Sequence, residues 1–471
     1  MDCTRRLARV IVPVVTVAAR IAEFLVKARL DDCPREGLEL VRRAALDTIG
    51  VMLAGAGEPA ARIMREVART EGGTPVCTVL GTNLRTSTTW AALANGVAGH
   101  AHDFDDTNFA LMGHPSVPLW AAVLAAAEAA MADGQALVLG YLVGFEVSAA
   151  VGGALNPSHY QRGWHATSSI GTLGCAAAAA RVFGLSPEQV RHAMGLAASL
   201  ASGVKENFGT MTKPYHAGHA ARNGVVAALM AREGFTASEN ALEGRQGWLA
   251  ASGDGAARET LAGALDQLGQ RWLLVETGIA VKPYPSCALT HAAIDALLGL
   301  RAEHAIRPSD VVDVEIGVNR VTPDVLIHPT PTTALERKFS MQFCAAAALA
   351  EGRVDFASFE DGDVRNPDVR ALMPRVRLVV DSALPDGLTE HAWSRVSLRL
   401  RDGRTLDAPP RGATGHPDRP LTPEALRAKF LACAATAIAA DDAASIADQI
   451  EHLEEIPDVR ALTARLVTDR D

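Results

Sequence analysis

Between about Ala18 and Gly269 apolar residues return every three or four positions, and glycine or proline stands where the runs stop. That period belongs to a helix, so the spacing predicts a nearly unbroken succession of helices. "REGLELVRRAALDTIGVMLAGAG", "VPLWAAVLAAAEAAMADG" and "SPEQVRHAMGLAASLASG" carry it most clearly, and Ser186-Pro187-Glu188 reads as a helix start with a serine cap, proline in the first turn and an acid beside it. The abundance of alanine on these segments predicts helices that approach one another closely.

After Val275 the texture changes. "DVVDVEIGV" (310–318), "RVRLVVDS" (375–382) and "SRVSLRLRDGRTLDA" (394–408) alternate apolar and polar residues, which predicts half-buried strands, and Asp402-Gly403 inside the last predicts a hairpin. "SCALTHAAIDALLGLRAEH" and "KFSMQFCAAAALAEG" read as helices between them. The pattern therefore divides the chain into a helical part over 1–275, an α+β part over 276–408 and, past the joint "PPRGATGHPDRP", a helical segment over 409–471 that returns to the first part. The expected class is mainly α: a large helical domain built from both chain ends, with a smaller α/β lid domain.

Composition narrows the function. The 471 residues carry 45 Lys+Arg against 54 Asp+Glu, a net charge of −9, with no basic run of the kind that tracks phosphates, so no nucleic-acid partner is expected. The seven cysteines are scattered and never in C-x-x-C spacing, which fits free thiols in a reducing, cytoplasmic setting. Arg5 and Arg6 followed by "LARVIVPVVTVAA" imitate a secretory signal, but Pro13 interrupts the apolar run and Arg20 closes it. No apolar run is expected to reach the length of a membrane span, and no membrane partner is expected.

Against this background "GHAHDFDDTNFALMGHPS" (99–116) gathers three histidines and three aspartates. Three further clusters stand out: "RGWHATSSIGTLG" with His165, "NFGTMTKPYHAGHAARNG" with Lys213, His216 and His219, and "VKPYPSCALTH" with Lys282, Tyr284 and Ser286. Each lies near an expected helix start, where unpaired N–H groups and the macrodipole favour anions. Two added lysines make an anion pocket for a small carboxylate the natural reading.

Other readings compete. His100, His102, Asp103 and Asp106 offer a ligand set for a metal-dependent hydrolase, and a carboxylate-binding protein without catalysis would also use lysines. Asp105 and Asp106 also suit helix caps. His159, His192, His219 and His304 read as structural, and Lys205 as a solvated surface charge. Cys287 with His291 four residues on has the spacing of a thiol and its base, though buried free cysteine is the commoner case.

Taken together, "HAHDFDDT…GHPS", "GWHATSSIGTLG", "NFGTMTKPYHAGHAARNGV", "VKPYPSCALTH" and "ERKFS" resemble the MmgE/PrpD family in order and spacing, from about Ala18 to the C-terminal "PEALRAKF". The resemblance implies a homodimer with its site between the helical domain and the lid, a small di- or tricarboxylate substrate, and neither metal nor organic cofactor. The family's reactions include dehydration, decarboxylation and epimerisation, all of which move a proton at a carbon next to a carboxylate. Carried over position by position, the site is Asp103, Thr107, His114, His165, Lys213 and Lys282. His114 and His165 are the expected acid/base pair, with Asp103 orienting an imidazole and Lys213 stabilising charge. Thr107, Lys282, Tyr284 and Ser286 are the expected substrate contacts. Two departures are local: Asn319 and Arg320 stand where the decarboxylase branch places a tyrosine, and "TKPYH" stands where the methylcitrate dehydratase branch has a "KSWAA"-like segment. "KENFGTMTKP", "AARNGV" and "GWHAT" lean toward the epimerase branch.

Overall fold

A computed structural model describes residues 15–254, 257–360, 362–384 and 392–468. The signal-like stretch up to residue 14, with Cys3, lies outside them. The helices of ten residues or more are α1 (Val17–Lys27), α2 (Arg35–Gly55), α3 (Pro59–Glu71), α4 (Thr88–His100), α5 (Ser116–Ala130), α6 (Gly134–Leu155), α7 (Ala166–Val182), α8 (Pro187–Leu200), α9 (Thr212–Arg232), α10 (His291–His304), α11 (Met341–Glu351), α12 (Pro423–Ala434) and α13 (Ala440–Ile450). The chain is mainly α with a small sheet.

One hydrophobic core joins α1, α2 and α4–α9 to the C-terminal helices, with Phe430 of α12 and Ile446 and Ile450 of α13 inside it. Small residues set its spacing. A Cβ added to Gly218 on α9 would stand 2.2 Å from the Leu93 carbonyl of α4, and one on Gly174 of α7 would stand 1.9 Å from Oγ of Ser148 on α6. Backbones this close leave room only for hydrogen, which is the reason for glycine and alanine here. Ser186 caps α8 as its sequence predicts, accepting from the Gln189 N–H while the Gln189 side chain accepts from the Ser186 N–H.

The helix α6 corrects one expectation. Its 22 residues are long and apolar enough to cross a membrane, yet 89% of the apolar window is buried inside the protein. Glu146 sits in its middle and accepts from the N–H groups of Leu273 and Leu274 at 2.8 and 2.9 Å, while burial lifts its carboxyl to about 7.

A second core packs α10 and α11 on a four-stranded sheet. Its strands β1 (Val311–Val318), β2 (Val376–Val380), β3 (Ser394–Leu400) and β4 (Thr405–Arg411) lie in the order β2-β1-β3-β4; β1 and β2 are parallel, and the other pairs are antiparallel. Val396, Leu398 and Leu400 of β3 point inward. The alternate arginines point outward to acids of neighbouring elements, Arg399 to Asp313 and Arg395 to Asp381. Gly403 closes the β3–β4 hairpin at φ +89°, the conformation glycine accommodates at no steric cost. A two-residue ribbon, Cys77–Thr78 against Arg85–Thr86, interrupts the part of the chain that the sequence pattern made helical.

Candidate active site

Where the two cores face one another, four pieces of chain converge. The loop 101–115 leaves the end of α4 and enters α5. Asp103 adopts φ +52°, a left-handed turn that Asp tolerates better than most residues. Farther along, Thr107 and Ala280 exchange backbone hydrogen bonds of 2.9 and 2.7 Å. That bridge ties the loop to the segment bearing Lys282. His165 is the residue before α7, and Lys213 lies in the first turn of α9.

The polar floor is a chain of short contacts. Lys213 Nζ lies 2.8 Å from His100 Nε2 and 2.9 Å from Asp103 Oδ1. Lys282 Nζ donates to the same Oδ1 at 2.9 Å and to the Asp103 carbonyl at 2.7 Å. On its other side His100 Nδ1 stands 2.8 Å from Asp105, whose second oxygen is 3.0 Å from His114 Nδ1. Because the Lys213 ammonium has only hydrogens to offer, His100 Nε2 accepts and Nδ1 carries the proton toward Asp105. His165 Nδ1 is 2.9 Å from His216 Nδ1.

Burial pushes the imidazoles down: His100 to about 3, His216 to about 4, and His114 and His165 also below the ordinary value, with Lys213 adding to the effect in each case. The free site therefore holds neutral imidazoles. Burial alone would raise Asp103, but Lys213 and Lys282 hold it well below the usual carboxylate range; burial is likewise outweighed at Asp105, by His100 and His114.

Above this floor lies a cavity of about 680 Å³ including its open mouth, within the usual size of small-molecule sites. Asp103, Thr107, His114, His165 and Lys213 are among its polar lining residues. Met112, Phe208, Leu289, Val321, Val325 and Phe339 are among its apolar lining residues, and Phe208 meets the His165 ring edge-on at 4.9 Å. Asp103 Oδ2 and Thr107 Oγ1 are buried without a hydrogen-bond partner, which leaves them to a ligand. Lys213 spends two N–H groups on His100 and Asp103 and keeps a third.

Three expected substrate contacts are elsewhere. Lys282 is not on the cavity wall, because both bonds of its buried ammonium go to Asp103 behind the wall. The Tyr284 hydroxyl donates to Asp295 at 2.6 Å, and Ser286 is buried against Thr290 at 2.8 Å. Cys287 does line the cavity, but burial raises its thiol to about 11, and His291 faces the Ser286 carbonyl instead of the thiol. Lys205 is not a free surface charge, since its Nζ sits 3.8 Å over the Tyr160 ring. His159 is held by Ser252 and Ser169, as a structural histidine should be.

The hydrolase ligand set is not assembled. His102 Nε2 faces the Ala54 carbonyl at 3.3 Å, and Asp106 is bonded to Ser116. A different quartet, His100, Asp103, Asp105 and His114, brings its donor atoms within 4.8 Å of one another. The ammonium groups of Lys213 and Lys282 already stand on His100 and Asp103, where a metal ion would have to displace or repel them.

Sequence reasoning gave His100 and Asp105 no place in this network and overlooked Lys338. Lys338 donates to the carbonyls of His102 and Pro285 at 2.7 and 3.1 Å and so pins the loop to the Lys282 segment. Its place in "ERKFS" was the available signal.

The family model of the MmgE/PrpD N-terminal domain matches residues 19–260, and that of the MmgE/PrpD C-terminal domain matches residues 284–455. Cis-aconitate decarboxylase of Homo sapiens is 31% identical over 437 residues, covering 90% of this chain and 89% of its own. The Mus musculus enzyme of the same name is also 31% identical, with 90% and 88% covered. Cis-aconitate decarboxylase of Aspergillus terreus is 23% identical, with 95% of both chains covered.

Proposed function

From the premise that this chain belongs to the MmgE/PrpD family of enzymes, we propose that it is a lyase that removes CO₂ from a small unsaturated tricarboxylate of the cis-aconitate class. The observation that carries the reading is the mixed lining of the cavity: the Lys213 ammonium with His114 and His165, and apolar residues that include Val321, Val325, Phe208 and Phe339, with the Phe208 and Phe339 rings 5.6 and 5.3 Å from Lys213 Nζ. A retained carboxylate pairs with Lys213. The departing one lies against apolar lining residues, which disfavour the anion and tolerate neutral CO₂. When the C–CO₂ bond breaks, its electron pair moves into conjugation with the retained carboxylate, where Lys213 stabilises it. A histidine N–H then delivers a proton to carbon. Lys282 and Asp103 hold Lys213 in place.

Epimerisation is the second reading: "KENFGTMTKP", "AARNGV" and "GWHAT" lean toward the epimerase branch, and Asn319 and Arg320, standing where the decarboxylase branch carries tyrosine, weigh against decarboxylation. The same proposal includes a homodimer in the cytoplasm, a lid role for 276–408, and chemistry that needs no metal.

The test is turnover of cis-aconitate, citrate, methylcitrate and iminodisuccinate in D₂O, followed by NMR. Release of CO₂ with deuterium on the product carbon supports the decarboxylase. Deuterium at a stereocentre with the carbon count unchanged replaces it with the epimerase, and a new double bond with loss of water replaces it with a dehydratase.

A further inference from the structure

His216 is buried and absent from the cavity wall, yet its Nδ1 lies 2.9 Å from Nδ1 of His165. The rings are tilted by 53° with centroids 5.1 Å apart, so they meet edge to edge through those nitrogens and are not stacked. Two nitrogens at this distance hold one proton between them: one donates and the other accepts. Among the described residues neither imidazole makes another ring hydrogen bond. Nothing else therefore fixes either tautomer. His165 lines the cavity, and its Nε2 has no hydrogen bond among the described residues.

We propose that His165 and His216 form a proton relay in which the proton on the Nδ1–Nδ1 axis decides whether His165 presents an acid or a base to the substrate. With substrate carboxylates compensating the charge, His216 carries hydrogen on both nitrogens, and His165 accepts from its Nδ1–H while carrying its own hydrogen on Nε2, ready to give it to a carbanion. As the Nε2–H bond breaks and the C–H bond forms, the His216 Nδ1–H bond breaks and a new N–H forms at His165 Nδ1. His165 remains neutral throughout, and His216 passes from imidazolium to neutral imidazole. The reverse sequence makes His165 Nε2 a base and leaves the charge on His216. Around the pair, Lys213, His100 and His114 face His165, while Lys213 and His219 face His216. More of these neighbours face His165 than His216, and the relay keeps the positive charge off His165. His216 is thus a positioning residue that acts through His165, and the inference rests on the acid/base reading of the cavity.

The experiment compares wild type with His216→Asn, whose amide can hydrogen-bond near the Nδ1 position but cannot pass a proton on. The expected result is a kcat lowered about tenfold or more at nearly unchanged KM. In H₂O/D₂O mixtures wild-type kcat should curve with deuterium fraction, as two moving protons require, and the variant should give a straight line. A straight line for wild type, or wild-type kcat in the variant, overturns the relay. If the variant does not fold, the wild-type curve decides alone. ¹⁵N-histidine NMR of the free enzyme adds a readout independent of substrate: coupling across an Nδ1–H···Nδ1 bond is expected, and its absence overturns the relay. If wild type turns over none of the four carboxylates while that coupling is present, the proposed function fails and the pair stands.

Discussion

The ammonium of Lys213 stands 2.9 Å from Oδ1 of Asp103, and only 5% of either side chain is exposed. Lys282 reaches the same oxygen at the same distance, so one carboxylate holds two cations at the edge of the cavity. Asp103→Asn would leave two buried ammonium groups facing a neutral amide. Removing one partner of a buried ion pair costs about 3–5 kcal/mol, and the measured urea midpoint should fall accordingly. The sign with pH follows from the depressed carboxyl. Its contribution is present above the unfolded value of about 3.9 and is lost as pH falls through the lower folded value. The gap between variant and wild type should therefore close in strong acid, and a gap independent of pH would contradict the pairing.

Lys213 is the cavity's only lysine among the described lining residues, with one N–H left for substrate. Lys213→Ala should lower kcat by about 10²–10³-fold, the usual cost of losing a donor to developing charge. Lys213→Arg should not restore it, because a planar fork cannot reproduce a point charge set between His100 and Asp103. Steady-state kinetics on the active substrate checks both; recovery in the arginine variant would reduce Lys213 to a general positive charge.

Much of this site could be read in the chain, for a definite reason. His165 and Lys213 sit at helix starts, and helix starts have local signatures in glycine, proline and capping residues. The strands were legible because β3 alternates valine and leucine with arginine. Contacts that depend on distant chain were not legible. His100 meets Lys213 across 113 positions, and no spacing rule encodes that pairing. Phe208 and Phe339 reach the cavity from two turns far apart in the chain, and neither differs locally from a core phenylalanine. Tyr284 and Ser286 misled because "KPYPS" looks like a binding loop, whereas their hydroxyls bond to Asp295 and Thr290.

Those hydroxyls give a direct contrast. Tyr284→Phe should leave kcat and KM within about twofold and lower stability by about 1 kcal/mol, the ordinary worth of one hydrogen bond. Lys282→Met, by contrast, should lower kcat strongly at similar KM, because Lys282 sets the position of Asp103 and does not touch the cavity. A rise in KM alone for Lys282→Met would place this lysine on the substrate after all.

The buried imidazoles predict how stability depends on pH. His100 and His291 are lowered to about 3, and His159 and His216 to about 4, with burial as the leading cause for each. The unfolded chain takes up these protons near pH 6.5. Between there and the folded values, unfolding binds protons that the native state refuses, so stability rises with pH. The contribution is complete above about 6.5 and is lost as pH falls toward 4. Urea midpoints measured from pH 7.5 to 4.5 should decline steeply, and His291→Gln, which leaves the polar floor intact, should flatten the slope. A flat profile would mean that these rings charge freely in the folded protein.

Metal dependence separates the remaining alternatives. His100, Asp103, Asp105 and His114 are close enough to hold a divalent ion, but Lys213 stands 2.8 Å from His100 Nε2, and both lysines stand 2.9 Å from Asp103 Oδ1. A divalent cation entering there meets two ammonium groups that burial keeps from solvent, and displacing them would strand both charges. Extended dialysis against EDTA should therefore leave turnover and melting temperature unchanged. Added Zn²⁺ or Mn²⁺ should not raise the rate. Lys213→Met removes the ammonium nearest His100, so any weak metal affinity should increase in that variant by calorimetry while activity stays low. Activity lost in EDTA and restored by one divalent metal would instead show that the quartet is a metal centre and that the lysines rearrange around it.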